Sequence, residues 1–480
     1  MRVKPERVKI MKIALGLGKV NMEKITEYAN GELYNFAPEN CTVTHVCTDS
    51  READENTLFI ATKGERVDGH DFILSASERG CKCFVCEYVP SDISGKPLAF
   101  CVVENSVDAF ANIARGYRRQ SPIKSVAITG SVGKTTTKEL MACVTRECYN
   151  VYSTSGNFNS VIGMPMSLME AGDEVELGVF EMGMSGFSEI SSMSYAAEPD
   201  VALVVNIGSS HLEYLGTRAN IARAKLEIAN GMKSGGTLIL NGDEPLLKNA
   251  REIVGRDDIN YVYTSILGAD GASYRAENIR MTDMGSVFDM YACGDKISDI
   301  EINVPGMHVV NNALMVLAAA HVLGIDTNKM RDGIKRYVPV GDRQRIFEKN
   351  NFKIIADCYN AAPESMRAAL DVLSTVAKGG RKIAVLGDMK ELGKNSDSLH
   401  FDTGKYAAAV ADILITVGKS AELIADGARY GGMDSDNIYK FGADDISAVC
   451  EKIREIGLLG DCLLIKASRS MKLERIIEEL

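Results

Sequence analysis

The chain has 480 residues, 46% apolar and 25% charged, with 54 Lys and Arg against 65 Asp and Glu for a net charge of −11. At roughly 150 residues per domain the length suits about three domains, and it excludes a small disulfide-stapled scaffold. The acidic balance excludes a dedicated DNA or RNA binder, which needs a basic face against phosphates, but not a locally basic nucleotide pocket.

The first ten residues are polar and fit no element, and Met11 is an alternative start to Met1. The early positive charge precedes too short an apolar stretch for a secretory signal. No apolar run of ~18 residues follows. The expectation is a cytoplasmic chain with no membrane insertion. Short strands and helices fill the sequence to about residue 121. Cys81, Cys83 and Cys86 have a metal-like spacing, but no second pair follows, so a buried strand is the expectation there. Most of the 12 cysteines sit in apolar runs, as reduced thiols do. A helical stretch at 107–119 ends before Gln120-Ser121-Pro122, a linker signal.

From 123 to about 340, apolar strands alternate with helical patterns: SVAITG, LGVFEMG, VALVVNIG and GTLILNG. Residues 313–325 read as a buried helix. The segment 341–480 repeats the style in FKIIADCY, KIAVLGDM, DILITVG and CLLIKAS. Such alternation predicts an α/β protein with parallel sheets covered by helices on both faces. Its expected parts are 1–121, 122–340 and 341–480, with ligands outside the carboxyl ends of the strands.

The strongest motif is Thr129-Gly130-Ser131-Val132-Gly133-Lys134-Thr135-Thr136, directly after a strand and before a helix read over 138–148. Glycines let backbone N–H groups curl around phosphate, and the helix N-terminus adds partial positive charge. Lys134 reaches the outer phosphates and Thr135 can hold Mg²⁺. Glu181 ends the strand of FEMGMSG, where an acid is costly unless paired or metal-bound. His211 follows the next strand in NIGSSHLE. Together with the phosphate loop, Glu181 and His211 suit a divalent ion shared with ATP. Lys225, in RAKLEI, is either a solvated surface lysine or one whose lowered pKa lets it react with CO₂ to give an anionic metal ligand. Three later loops, DCYNAAPESM, LGDMKELG and KASRSM, carry groups suited to an anionic, amide-rich small ligand.

In this order the motifs resemble the Mur ligases, the ATP-dependent amide-forming enzymes of peptidoglycan precursor synthesis. The similarity runs from about residue 20 to the end, through TDSR, LFIATKGERVDGHDFI, TGSVGKTTTKEL, STSGNFNSVIGMPMSL, FEMGMSG, NIGSSHLEYLG and RAKLEI. DCYNAAPESM, VLGDMKELG and KASRSMKLE extend it. The DCYNAAPESM and VLGDMKELG motifs resemble those of the branch that adds D-alanyl-D-alanine. The resemblance implies a small N-terminal α/β domain for the uridine nucleotide, a central P-loop-type ATPase domain and a C-terminal Rossmann-like domain. It implies ATP and two Mg²⁺ as cofactors, with UDP-MurNAc-tripeptide and D-Ala-D-Ala as substrates on a monomer.

By the same resemblance, Lys134, Glu181, His211 and a carbamate on Lys225 are catalytic, and with Thr135 the last three are metal ligands. Asn312 and Arg343 hold the nucleotide base and ribose, and His308 shapes that edge. Ser50, Arg51, Lys63, Gly64, Asp68, His70, Asn157 and Asn159 contact the UDP substrate. Asp357, Tyr359, Asn360, Pro363, Ser365, Lys466, Ser468 and Arg469 receive the acceptor. The sequence departs from the family pattern at Ser160, Asp342 and Ala467. The rival readings are a sibling ligase adding the third amino acid, a folate-type ligase, and a silent nucleotide-binding scaffold. The nucleotide-domain motifs in 48–71 stand against the folate type, and joint retention of the four catalytic groups stands against the scaffold.

Overall fold

Strand-forming runs segregate into three large sheets and one two-stranded ribbon, Val20–Asn21 against Thr42–Val43, in this computed structural model, which describes residues 12–35, 41–64, 67–93 and 96–480. Both candidate start methionines lie outside the described residues. The first sheet orders its strands Lys12–Ala14, His45–Cys47, Thr57–Ile60, Cys83–Cys86, Ala99–Val102 and Glu32–Asn35. Its four inner strands are parallel and its two edges antiparallel. The cysteine cluster is the buried strand its apolar context predicts, with Cys81, Cys83 and Cys86 all enclosed. The helix Ser106–Arg118 starts where the Asn105 side chain accepts from the Val107 and Asp108 amides, an N-cap that satisfies two orphan donors.

The central sheet runs Val151–Ser153, Leu177–Glu181, Lys124–Thr129, Val201–Val204, Thr237–Asn241 and Asn260–Ser265, all parallel. Lys124–Thr129 lies inside it and is buried from Ser125 on, as an apolar run between two covered faces must be. The expected parallel α/β sheet is found, and it is extended at the far edge. There Tyr274–Met281, Ser286–Ala292 and Asp295–Ile302 form an antiparallel meander. Tight turns explain it: Thr282 N–H donates to Gly285 O at 2.8 Å, and Gly294 takes φ +106. A two-stranded hairpin needs no crossover helix. The buried helix read at 313–325 spans Met307–Val322, with His321 in its last turn.

The third sheet orders Arg345–Lys349, Phe352–Ala356, Cys462–Lys466, Lys382–Gly387, Ile413–Val417 and Ile438–Phe441. Only its first pair is antiparallel. One apolar cluster, from Ile13 to Ile259, joins the first sheet to one face of the central sheet. The third sheet has two clusters of its own, one per face, made of residues from Phe352 onward. Between these blocks Gly341 takes φ +64, so the hinge freedom lies one residue before Asp342. No helix among the described residues is long and apolar enough to cross a membrane.

Candidate active site

The phosphate loop is built by its neighbours. Asn206, just beyond the adjacent strand, accepts from the Ser131 and Val132 amides at 3.0 Å each and donates to Val132 O at 2.8 Å. Gly208 N–H donates to Ser131 Oγ at 2.8 Å. Gly133 takes φ +80, and a Cβ there would stand 3.0 Å from Asn312 Nδ2, so the position is closed to side chains on both counts. The helix behind the loop is Lys134–Thr145, which starts four residues before the reading at 138. Its first turn is Lys-Thr-Thr-Thr, whose β-branched residues mask a helix start. Lys134 folds back so that Nζ donates to Gly130 O at 2.8 Å, and burial pushes its amine below the ordinary lysine range.

Glu181 pairs in register with Ile128 beside this loop and is 3% exposed. Thr135 Oγ1 donates to its Oε2 at 2.8 Å and Asn159 Nδ2 to its Oε1 at 2.7 Å. Asn159, assigned from the sequence to the UDP substrate, thus has its amide on Glu181. Lys225 lies in the helix Arg218–Leu226 and is 1% exposed. It is not a solvated surface lysine. Burial, with the Lys134 charge adding, pushes its amine well below the usual range, which favours the neutral form. His211 Nδ1 stands 3.0 Å from Glu391 Oε2. Among the described residues no three His, Cys, Asp or Glu side chains form a metal cage. A carboxylate beside a threonine hydroxyl under a phosphate loop nonetheless fits Mg²⁺, which keeps water and phosphate oxygens as its other ligands.

A cleft of about 690 Å³ separates the central and third sheets. It brings together residues from 131–136, Asn159, Glu181, His211, His308, Asn312 and Arg343 with Asp357, Tyr359, Asn360, Ser365 and Lys466. Lys466 is 2% exposed and donates to Asp357 Oδ2 at 2.6 Å and Asn360 O at 2.8 Å. The Arg343 guanidinium lies 3.5 Å over the Tyr359 ring, with Arg469 at 5.7 Å. Pro363 opens the helix Pro363–Val376, where Ser365 Oγ accepts from Ala362 N–H at 3.0 Å. Ser468 Oγ accepts from Lys390 N–H at 3.0 Å. Pro363, Ser468 and Arg469 do not line the cleft.

The N-terminal candidates stand apart from that cleft. Arg51 is exposed and paired to Asp49, beside buried Ser50. Lys63 and Asp68 bridge a loop in which Gly64 N–H donates to Val67 O at 2.9 Å. His70 Nδ1 lies 2.6 Å from Asp68 Oδ1, its Nε2 accepts from Glu87 N–H at 2.8 Å, and its ring stacks on Tyr88 at 4.6 Å. Both ring nitrogens are engaged, so His70 fixes the loop. Asn157 is exposed on the loop that carries Asn159. Sequence reasoning missed Asn206, Glu364, Glu391 and Gln344. Ser209 Oγ donates to Glu364 Oε1 at 2.8 Å across the cleft. Gln344 receives His308 Nε2 at 2.7 Å and donates to Pro305 O. Their one available signal is position: each follows a strand end, a hinge or a helix start.

A phosphate loop facing a second α/β sheet across a closing cleft suits an enzyme that activates one substrate with ATP and shields it from water until another arrives. The class so defined is an ATP-dependent ligase. The chain belongs to the Mur ligase family. Its middle-domain model matches residues 128–320, its glutamate ligase domain model 342–469 and its catalytic domain model 42–127. The UDP-N-acetylmuramoyl-tripeptide–D-alanyl-D-alanine ligase of Bacillus subtilis (strain 168) is 35% identical over 467 residues, covering 96% of this chain and 98% of its own. A crystal structure of MurF from Acinetobacter baumannii superposes with a TM-score of 0.86 at 28% identity, covering 97% of this chain and 99% of that one. MurF ligase from Thermotoga maritima in complex with ADP gives 0.79 at 29% identity, over 90% and 96%.

Proposed function

We propose that the chain joins D-alanyl-D-alanine to UDP-MurNAc-tripeptide with ATP, through an acyl phosphate, in peptidoglycan precursor synthesis. The observation that carries this reading is one cleft with Lys134 and Glu181 on one wall and the Asp357–Lys466 pair on the other. In this reading residues 1–121 bind the uridine nucleotide through Ser50, Arg51 and the loop fixed by His70. Residues 122–340 bind ATP, and 341–480 bind the dipeptide. The protein acts as a cytoplasmic monomer.

The loop amides and Lys134 hold the β- and γ-phosphates and offset charge as the phosphoryl group moves to the tripeptide carboxylate. Asn312, against Gly133, and Arg343 hold the nucleoside. Thr135, Glu181, His211 and a carbamate on Lys225 would hold Mg²⁺, two ions in all, whose charge lowers the cost of bringing the anionic substrates together. Lys466 and Asp357 orient the dipeptide, whose free amine attacks the acyl carbon; a tetrahedral intermediate then expels phosphate. Closure of the cleft keeps water from the acyl phosphate.

The test is phosphate release with tripeptides ending in L-Lys or meso-diaminopimelate, with and without D-Ala-D-Ala. Release that needs ATP, one tripeptide and the dipeptide together is the expected result. Equal release without the dipeptide overturns the reading in favour of a nucleotide-hydrolysing switch, and no release under any condition leaves a scaffold.

A further inference from the structure

The loop from Asp388 to Gly393 is held more firmly than a connection between a strand and a helix needs. Asp388 Oδ1 accepts from Ala421 N–H at 2.8 Å, and its carbonyl accepts from Ser468 N–H at 3.1 Å. Met389 N–H donates to His400 Nε2 at 2.9 Å, and His400 is itself locked by Ser396 O at 2.7 Å from Nδ1. Lys390 N–H donates to Ser468 Oγ at 3.0 Å. Three separate segments therefore hold the loop, two of them by its backbone.

What this frame presents is Glu391. Its backbone is left-handed, φ +64, a conformation that costs a non-glycine residue free energy and persists where the surroundings impose it. Its carboxylate enters the cleft, with Oε2 3.0 Å from His211 Nδ1. His211 is left-handed too, φ +66. Two such residues, one from each side of the cleft, meet in one contact. Beside them Gly393, φ +56, packs so closely on the facing chain that a Cβ would stand 3.0 Å from Glu213 Cα. His211 Nδ1 is buried, and the contact, although close, is not aligned as a hydrogen bond. A buried donor left in that state calls for a functional reason.

The chemistry described above gives Glu391 no task. We propose that Glu391 is a positioning residue: from the acceptor-binding side it orients the His211 imidazole, so that the phosphate site is complete only when that side has closed. A histidine whose Nδ1–H points at a carboxylate leaves its Nε2 lone pair free, the way such rings are held to ligate a cation. The proposal rests on the ligase reading, in which His211 faces the phosphates. Glu391 itself touches no reacting atom.

The experiment compares Glu391→Ala, Glu391→Gln and Gly393→Ala with the wild type in the full chain. It combines steady-state kinetics with ¹⁵N spectra of histidine-labelled protein, the His211 signals being assigned by His211→Gln. Loss of such a supporting partner typically costs about 10–100-fold in activity, so Glu391→Ala should lower kcat by that factor. A contact made on closure should leave KM for all three substrates within about threefold. Glu391→Gln, which keeps an oxygen acceptor for Nδ1–H, should recover most of the loss. The His211 tautomer should shift in Glu391→Ala and hold in Glu391→Gln. Gly393→Ala keeps both partners but props the loop off Glu213, and it should lower kcat likewise; it stands in should Glu391→Ala fail to fold. Wild-type kcat in either alanine variant, or an unmoved His211 tautomer in Glu391→Ala, overturns the proposal. Failure of the wild type to release phosphate in a manner dependent on both substrates overturns the ligase reading instead.

Discussion

Lys225 shows what a single residue can and cannot announce. Its helical setting in RAKLEI leaves a surface lysine and a reactive one equally open, because helical spacing does not say which face is covered. The fold decides against the surface lysine: at 1% exposure, burial pushes its amine well down, in the direction of the neutral form that CO₂ requires. If it carries a carbamate, Lys225→Ala should lose most ligation, and small carboxylic acids should restore part of it by filling the vacated anion position. Thoroughly CO₂-depleted buffer should also lower wild-type activity at mildly acidic pH. Initial-rate assays with and without added formate or acetate check this, and full activity of Lys225→Ala would remove the carbamate. Lys134 and Glu181 were legible because each sits where an apolar strand stops. Asn206 was not: its bonds reach Ser131, 75 positions away in sequence, and nothing in NIGSS foretells them. Asn159 was legible as a site residue, but its partner, Glu181, appears only when two strands lie side by side.

At the level of elements, the parallel strands were legible because strands buried on both faces read as unbroken apolar runs. The antiparallel meander was not, since Tyr274–Met281 and Asp295–Ile302 face solvent on one side and carry charges along their length. The start of a strand is another thing the pattern hides. Lys382–Gly387 and Cys462–Lys466 begin side by side because Asp461 Oδ2 takes Arg381 Nη2 at 2.6 Å, Oδ1 takes its Nε at 3.1 Å, and Leu458 N–H adds 2.9 Å. Burial acts to raise the Asp461 carboxyl, but the Arg381 contacts and the Leu458 amide together outweigh it and hold the group below the usual aspartate range. A carboxyl with a lower folded than unfolded pKa stabilises fully above the unfolded value, and that contribution disappears as pH falls through the folded one. Asp461→Asn should therefore cost about 1–2 kcal/mol near neutrality, a figure held down because the Arg381 side chain is 35% exposed. The gap from wild type should stay constant above about pH 5 and shrink below about pH 4. Urea midpoints across that range measure it, and a gap that stays constant down to about pH 2 would count against the ion pair.

On the scale of the whole molecule the chain is two blocks of packed sheets that meet near Gly341. The first sheet and the central sheet share apolar packing from Ile13 to Ile259, whereas the third sheet's clusters contain only residues from Phe352 onward. Polar contacts cross between the blocks: Ser209 with Glu364 at 2.8 Å, and Asp283 with Lys353 at 3.3 Å and Lys378 at 3.1 Å. Charge pairs of this exposure weaken with salt, and packing of this kind leaves each block free to melt as its own cooperative unit. Sequence patterning held no sign that the first two sheets are fused, because inward faces look alike whatever they pack on. Calorimetry of the unliganded chain should thus resolve two transitions that draw apart in high salt and converge when ATP and the UDP substrate bridge the cleft. Leu464, fully buried in the third sheet, supplies the marker. Leu464→Ala should cost about 2–5 kcal/mol and lower one transition only, leaving the other in place. A single transition that moves as a whole would mean that the hinge contacts bind the blocks into one unit, and that domain closure starts from a stiffer molecule than its separate cores imply.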